Sequence, residues 1–450
     1  MTVDESEFSE GEMRSQMALI RRHIARLLQS RLVGGTAIMT LGNGLRLLFN
    51  LGTFFIVARA MGSADFGNFA TVVSLVGILG AFAGWGADQL VIRRVSRSTE
   101  AYRDALGTST VFLAISAPVL TLVSWMLVPI LMHRTVSFEM VALVSIADLV
   151  FQPINVLAAG CFQGSDRPAK TALQNIGFSL MRVVAALLWV AIIPAHDTIS
   201  WSWFYCTVSL LGATASIVVV IHDLGLPRWN ILWTDWKNGF HFALQQATFS
   251  VFREIDRPVI LNLSSAATVG VYVAAFRLAD AAVMPVRSLM YASHREFFRL
   301  GGINPRLSLR FAFKLMPFCI GFGLLGGAAI AAAAPVAPFV LGRQYEGTFN
   351  LLLLLSAFPM LYGFFYLAME ILVGADHATM RTAIQLVMPA FDIGFCYLLV
   401  PGYGAVGAAL ATLATHAITV VSAWGAVALI VMRSPALEHS TDPRATERPR

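Results

Sequence analysis

Charge is what this chain has least of. Only 13% of its 450 residues are Asp, Glu, Lys or Arg, against roughly a quarter in a soluble domain, while 57% are hydrophobic. That balance excludes an ordinary water-soluble protein and points to a polytopic membrane protein. Cysteine is equally scarce. Cys161, Cys206, Cys319 and Cys396 stand singly in apolar stretches, with neither a CxxC spacing for a metal nor a pairing that suggests a disulfide framework. Catalytic signatures are missing too: there is no HExxH and no GxSxG. The nearest approach to a nucleotide loop, "GSDRPAKT" from Gly164 to Thr171, has Ala169 where the second glycine belongs and no strand before it. Neither a cofactor nor an enzymatic activity is expected. The net charge of +6 is spread over many loops and forms no single stripe, so no nucleic-acid role is expected.

What the chain has in abundance is long hydrophobic runs. Taking about 20 apolar residues per crossing of a hydrocarbon layer about 30 Å thick, twelve helices are expected. They fall near 36–60, 66–92, 105–131, 138–160, 169–193 and 200–221, then 239–262, 266–291, 311–334, 347–373, 379–400 and 404–431. Lys and Arg resist translocation. With the N-terminus cytoplasmic, 23 of the 32 basic residues fall on the inner side, and only Arg59, Arg134 and Arg343 on the outer side. Both termini are therefore expected in the cytoplasm. The run "LIRRHIARLLQSRL" within residues 1–35 is too charged for a cleavable signal peptide. It reads either as an amphipathic helix on the inner leaflet or as a solvated basic arm. The tail, 433–450, is polar, rich in Pro and expected to be disordered.

Two segments recur. "SADFGNFATVVSLV" (63–76) and "SAATVGVYVAAFRLAD" (265–280) align on Gly67 and Gly270. "CFQGSDRPAKTALQN" and "ILVGADHATMRTAIQ" align Gly164 with Gly374 and Asp166 with Asp376. Two matches in the same order at nearly one spacing predict two six-helix halves. These are an N-lobe over 36–221 and a C-lobe over 239–432, joined by a cytoplasmic linker over 222–238. Six is even, so both halves enter from one side and are related by an axis along the membrane normal.

The stretches "FIVARAMGSADFGNFA" (55–70), "GWGADQLVIRRVSR" (84–97) and "IDRPVILNLSSAATVGVYVAAFRLAD" (255–280) resemble signatures of polysaccharide-type flippases. These belong to the multidrug/oligosaccharidyl-lipid/polysaccharide (MOP) superfamily. The resemblance implies a V-shaped, MATE-like molecule of two lobes that alternates between inward-open and outward-open states in the bacterial inner membrane. Its implied cargo is an oligosaccharide repeat on undecaprenyl pyrophosphate, with a polymerase and a chain-length regulator as further partners.

Ionisable groups inside a span are costly against lipid, so they face a partner or a wet cavity. The stretch "VFREIDRPVI", Val251 to Ile260, carries four of them in five positions. Arg253, Arg257, Arg46, Arg182 and Arg277 are candidates for a cationic cleft, because guanidinium stays protonated and matches phosphate oxygens. Arg277 with Asp280, three apart, also reads as a structural pair. Asp148, Asp256, Glu254, Glu370 and Asp392 are candidates to carry H+ or Na+. Glu254 can reach Arg257 three positions on. The cluster is thus either a self-paired knot or a set of arginines that exchange an acid for cargo phosphate. Pro258 predicts a kink in helix 7. Asn43, Asn50, Gln152, Asn155, Gln174, Asn175, Gln245, Gln246 and Tyr272 are possible sugar-lining groups or interhelical glue. A drug/cation antiporter and a non-transporting assembly subunit remain alternatives. Substituting Arg46 or Arg253 by Ala is expected to abolish surface or secreted glycan at normal protein levels.

Overall fold

Within a bilayer every backbone amide and carbonyl must be satisfied by the chain itself, which leaves helices or a closed barrel. The computed structural model describes residues 31–96, 102–133, 136–229 and 235–434, and no strand occurs among them. The basic arm, the tail beyond 434 and part of the linker lie outside the described residues.

The first half folds as α1 (Arg31–Met61), α2 (Ser63–Gly80), α3 (Ala87–Val95), α4 (Tyr102–Leu131), α5 (Phe138–Gly164), α6 (Pro168–Ile192) and α7 (Thr198–Leu224). The second half comprises α8 (Asp235–Glu254), α9 (Asp256–Leu263), α10 (Ala266–Ala282) and α11 (Met284–Gly301). It continues with α12 (Pro305–Ala333), the short α13 (Ala337–Leu341), α14 (Thr348–Gly374) and α15 (Ala378–Arg433). Among the described residues nine helices, α1, α2, α4 to α7, α12, α14 and α15, are long and apolar enough to cross a membrane, and the bent pair α10 with α11 makes ten; α8 with α9, the stretch expected as helix 7, is not among them. The 56 residues of α15 would span about 84 Å, more than twice the hydrocarbon layer. It leaves helical geometry at Gly404 (φ 56°) and forms the last two crossings.

Two stretches expected to be continuous are broken, and a third, helix 7, breaks beside the proline that predicts its kink, each for a local reason. The second expected helix unwinds over 81–86, where Gly84, Trp85 and Gly86 are all left-handed at φ 76°, 56° and 69°. Glycine adopts this freely, whereas Trp85 is held there under strain. The eighth bends by 44° between α10 and α11, where Pro285 occupies the first turn of α11. The seventh is interrupted at Ile255. Pro258 has no amide proton for the Glu254 carbonyl, so the break falls one turn before the proline.

The repeat seen in the sequence is a pseudo-two-fold in space. A Cβ on Gly67 would run into the backbone of Ala266, and a Cβ on Gly270 would run into that of Ser63. Residues 63 and 67 therefore meet residues 266 and 270 reciprocally, as an isologous contact requires. Only glycine lets α2 and α10 approach this closely. The second pair of segments repeats a turn. Asp166 and Asp376 are both left-handed (φ 55° and 64°). The amides of Arg167 and His377 donate to Phe162 and Leu372, at 3.0 and 2.9 Å.

Packing sets the shape. One hydrophobic cluster joins both halves, from Phe54, Val72 and Trp201 to Tyr272, Leu352 and Ala408. Two further clusters are confined to one half each, around Val91 and Phe162 in the first and around Phe297 and Met369 in the second. The lobes thus share a core at one end and part toward the other, where Trp236 of α8 still stacks on Trp85, ring centroids 4.5 Å apart. The shared end is remote from the termini: Arg59 at the close of α1 donates to the carbonyls of Phe339 and Val340 at 3.2 and 2.6 Å, Gln344 accepts from the Ser63 amide, and the buried Tyr345 hydroxyl donates to Ala58. At the diverging, terminal end, Arg306 of α12 donates to carbonyls of Val431 and Ser434.

Candidate substrate cavity

Between the lobes lies a cavity of about 970 Å³. Arg182 on α6 lines it from the N-lobe, and Arg253 on α8, Arg257 on α9 and Arg277 on α10 line it from the C-lobe. Asp148, Glu254 and Asp280 contribute acids, and Asn50, Gln152, Gln245 and Gln246 line it with amides. Four of the five candidate arginines thus converge on one space.

Arg46 is not among the lining residues, though it is near enough to Arg182 for the two charges to repel. It lies one turn nearer the terminal end than Asn50, and its side chain is exposed. Depth along a helix could be counted from the sequence, but where the lobes diverge could not. Arg277 also departs from expectation: Asp280 turns instead to Arg287, at 2.5 Å, and to Arg253, at 3.4 Å. Arg277 stacks on the Phe54 ring of the opposite lobe, 5.4 Å from its centroid. Three residues along a helix made the Arg277–Asp280 pair possible, but the bend before α11 brings Arg287 closer.

The charged cluster of helix 7 is partly self-paired. Glu254 and Arg257 form the expected ion pair three apart. Arg257 Nη1 also donates to the Ser74 hydroxyl of α2 at 2.6 Å, and Ser74 lies 3.1 Å from Glu254 Oε2. The knot is therefore tied across the lobes, by a serine that nothing in the α2 sequence marks out. Arg257 Nε remains buried without a partner. Asp256 faces away: it accepts from the Tyr272 hydroxyl at 2.5 Å and from the Arg257 amide at 2.8 Å.

The other candidate acids separate into three settings. Asp256 and Asp392 line a second, small cavity of about 40 Å³ inside the C-lobe, together with Thr412, Thr415 and His416. Asp392 accepts from Thr415 at 3.1 Å. Asp148 accepts from the Tyr205 hydroxyl at 2.7 Å in the N-lobe. Glu370 lines neither cavity and is held by His294 Nδ1 at 2.5 Å. Among the amides, Gln174 donates to the Asn155 backbone carbonyl and to the Ser216 hydroxyl, which in turn donates to Asn155 Oδ1, all within the N-lobe, as interhelical glue does. Among the described residues no group of three His, Cys, Asp or Glu side chains is placed to hold a metal ion.

A two-lobed helical bundle around a polar, charge-lined cavity is the architecture of MATE-like transporters of the MOP superfamily, and solved structures bear this out. The chain superposes on the inward-facing conformation of a multidrug resistance MATE family transporter of the MOP superfamily with a TM-score of 0.68 and 14% identity, over 89% of this chain and 94% of that one. The outward-facing conformation of such a transporter gives a TM-score of 0.58 and 13% identity over 88% and 94%. A MOP superfamily transporter from Pyrococcus furiosus, described as having a binding pocket of reverse polarity that suggests a different function, gives 0.59 and 14% over 88% and 95%. No curated protein matches the chain. The family model described as polysaccharide biosynthesis protein matches residues 32–293, more than half of the chain, and the chain belongs to that family. It is a multi-pass, MATE-like MOP transporter.

Proposed function

We propose that the chain is a flippase that carries an oligosaccharide repeat on undecaprenyl pyrophosphate from the cytoplasmic to the periplasmic leaflet of a bacterial inner membrane. The observation that carries this reading is the pair Arg182 and Arg277: they line one cavity from opposite lobes, and neither forms an ion pair with a carboxylate among the described residues. An anion crossing the low-dielectric midplane loses several kcal/mol of hydration per charge, and two uncommitted guanidinium groups match the charge of a diphosphate. A cation antiporter would want the opposite balance. A scaffold subunit would have no use for a cavity of about 970 Å³. The amides Asn50, Gln152, Gln245 and Gln246 suit sugar hydroxyls, and Phe54 and Phe276 suit their apolar faces.

With both termini cytoplasmic, as the distribution of Lys and Arg favours, the diverging end opens inward and the described state is the loading state. Opening to the other side requires the contacts of Arg59, Gln344 and Tyr345 to part. The paired acids of the small C-lobe cavity, Asp256 and Asp392, are the best-placed groups to bind the coupling H+ or Na+. A polymerase and a chain-length regulator would act on the delivered repeat.

The test is glycan export in cells whose own transporter is replaced by variants at matched membrane levels. Arg182→Ala and Arg277→Ala are expected to abolish export, and Arg46→Ala to reduce it less. Full export by both cavity variants would remove the anion-path reading.

A further inference from the structure

Arg182 reaches the cavity from α6 without a carboxylate against its fork. Its guanidinium lies 4.4 Å from the Phe178 ring centroid and 5.0 Å from that of Tyr205. Nη2 donates to the Tyr205 hydroxyl at 3.4 Å, while Nε is buried with no hydrogen-bond partner. The carboxylate that balances this charge stands one step back, where Asp148 Oδ1 accepts from the Tyr205 hydroxyl at 2.7 Å.

Local features of three helices create this arrangement. Asp148 lies in a π-helical turn, 147–151, inside α5. Such a turn inserts a residue and re-aims the side chains around it, a distortion that recurs at functional sites. Tyr205 on α7 is packed edge-on by Phe69, ring centroids 5.6 Å apart. Phe178 occupies space that a side chain at Gly212 would fill. A direct Arg–carboxylate pair would consume both edges of the guanidinium in parallel hydrogen bonds. Interposing the hydroxyl keeps the carboxylate near without consuming the fork in a bidentate pair, so the guanidinium that lines the cavity keeps donors for a ligand.

We propose that Asp148 and Tyr205 are positioning residues that hold Arg182 so that its guanidinium grips the phosphate oxygens of an anionic headgroup, with Arg277 gripping from the other lobe. The proposal rests on the anion-path reading of the cavity and assigns Asp148 to orientation of the cargo site, not to carriage of the coupling ion.

The full-length chain in lipid nanodiscs, titrated calorimetrically with inorganic pyrophosphate, tests it. Wild type is expected to bind, and Arg182→Ala to lose binding. Tyr205→Phe and Asp148→Ala should each weaken it about tenfold, the worth of one hydrogen bond to a charged group. Asp148→Asn, which keeps an acceptor oxygen for Tyr205, should retain most of the affinity. Tyr205→Phe should have no further effect in the Arg182→Ala background, because it acts through Arg182; a loss of general structural integrity would instead add. Wild-type affinity in both Tyr205→Phe and Asp148→Ala would overturn the positioning role and leave the anion path standing. Absence of pyrophosphate binding by wild type would overturn both.

Discussion

Replacing Gly67 by Ala would place a methyl carbon 2.8 Å from the Ala266 carbonyl carbon and 2.9 Å from the Gly270 amide nitrogen. Ordinary contact begins near 3.4 Å, so both atoms are about 0.5–0.6 Å too close, and the Ala266 carbonyl oxygen is nearer still. Both belong to backbone and cannot swing aside as a side chain could. The helices α2 and α10 must move apart at the end where the lobes share their core. Overpacking of this kind costs about 1–3 kcal/mol, and here it falls on the contact between lobes, not on the packing within either. If the lobes rock about that crossing, the state with the Arg59 end closed loses roughly 5- to 150-fold in population relative to its alternative. The assay is labelling of a cysteine placed at Ala281, a cavity-lining position, in a cysteine-free background, by an impermeant maleimide added from the side remote from the termini. Gly67→Ala should label faster than its parent and transport more slowly. Gly270→Ala should do the same by the reciprocal clash with Ser63, and the double substitution should be less than additive because one crossing is disturbed twice. Parental labelling and transport rates in Gly67→Ala would refute the idea that this crossing governs opening.

Other substitutions separate the remaining contacts. Arg257→Ala leaves Glu254 in the lobe interface without its cation. Breaking a fully buried pair costs about 3–5 kcal/mol; Glu254 retains 23% side-chain exposure, so the lower end is expected, read as a drop in melting temperature that Glu254→Gln in the same chain partly restores. Arg59→Ala removes two bonds to carbonyls at an exposed position, worth about 1 kcal/mol, and should speed maleimide labelling from that side about fivefold. Asp256→Asn and Asp392→Asn are expected to abolish transport driven by an imposed ion gradient in proteoliposomes while leaving pyrophosphate affinity unchanged; a matching loss of affinity would place these acids in the cargo site instead.

The sequence carried further on fold than on site. Hydropathy located most of the long apolar helices, because a crossing must exclude charge over about 20 residues. The charged helix 7 was the hardest to recognise by hydropathy, and its place in the repeat supported it; Gly67 and Gly270, which marked that repeat, meet each other's helices reciprocally. The Glu254–Arg257 pair was legible because helical spacing is local. Ser74 and Tyr205 were not, since a single hydroxyl in an apolar helix is ordinary until a neighbouring helix brings a guanidinium to it.

By itself the sequence determined that the chain is an all-helical, multi-pass membrane protein with arginines inside its apolar stretches, which follows from the free energy of placing residues in lipid. Only the tertiary structure decided which arginines share a cavity. That depends on where the lobes part, on the π-turn beside Asp148 and on the bend that gives Asp280 to Arg287. These are rotations of a few tens of degrees, set by packing between residues far apart in the chain, and no local pattern encodes them.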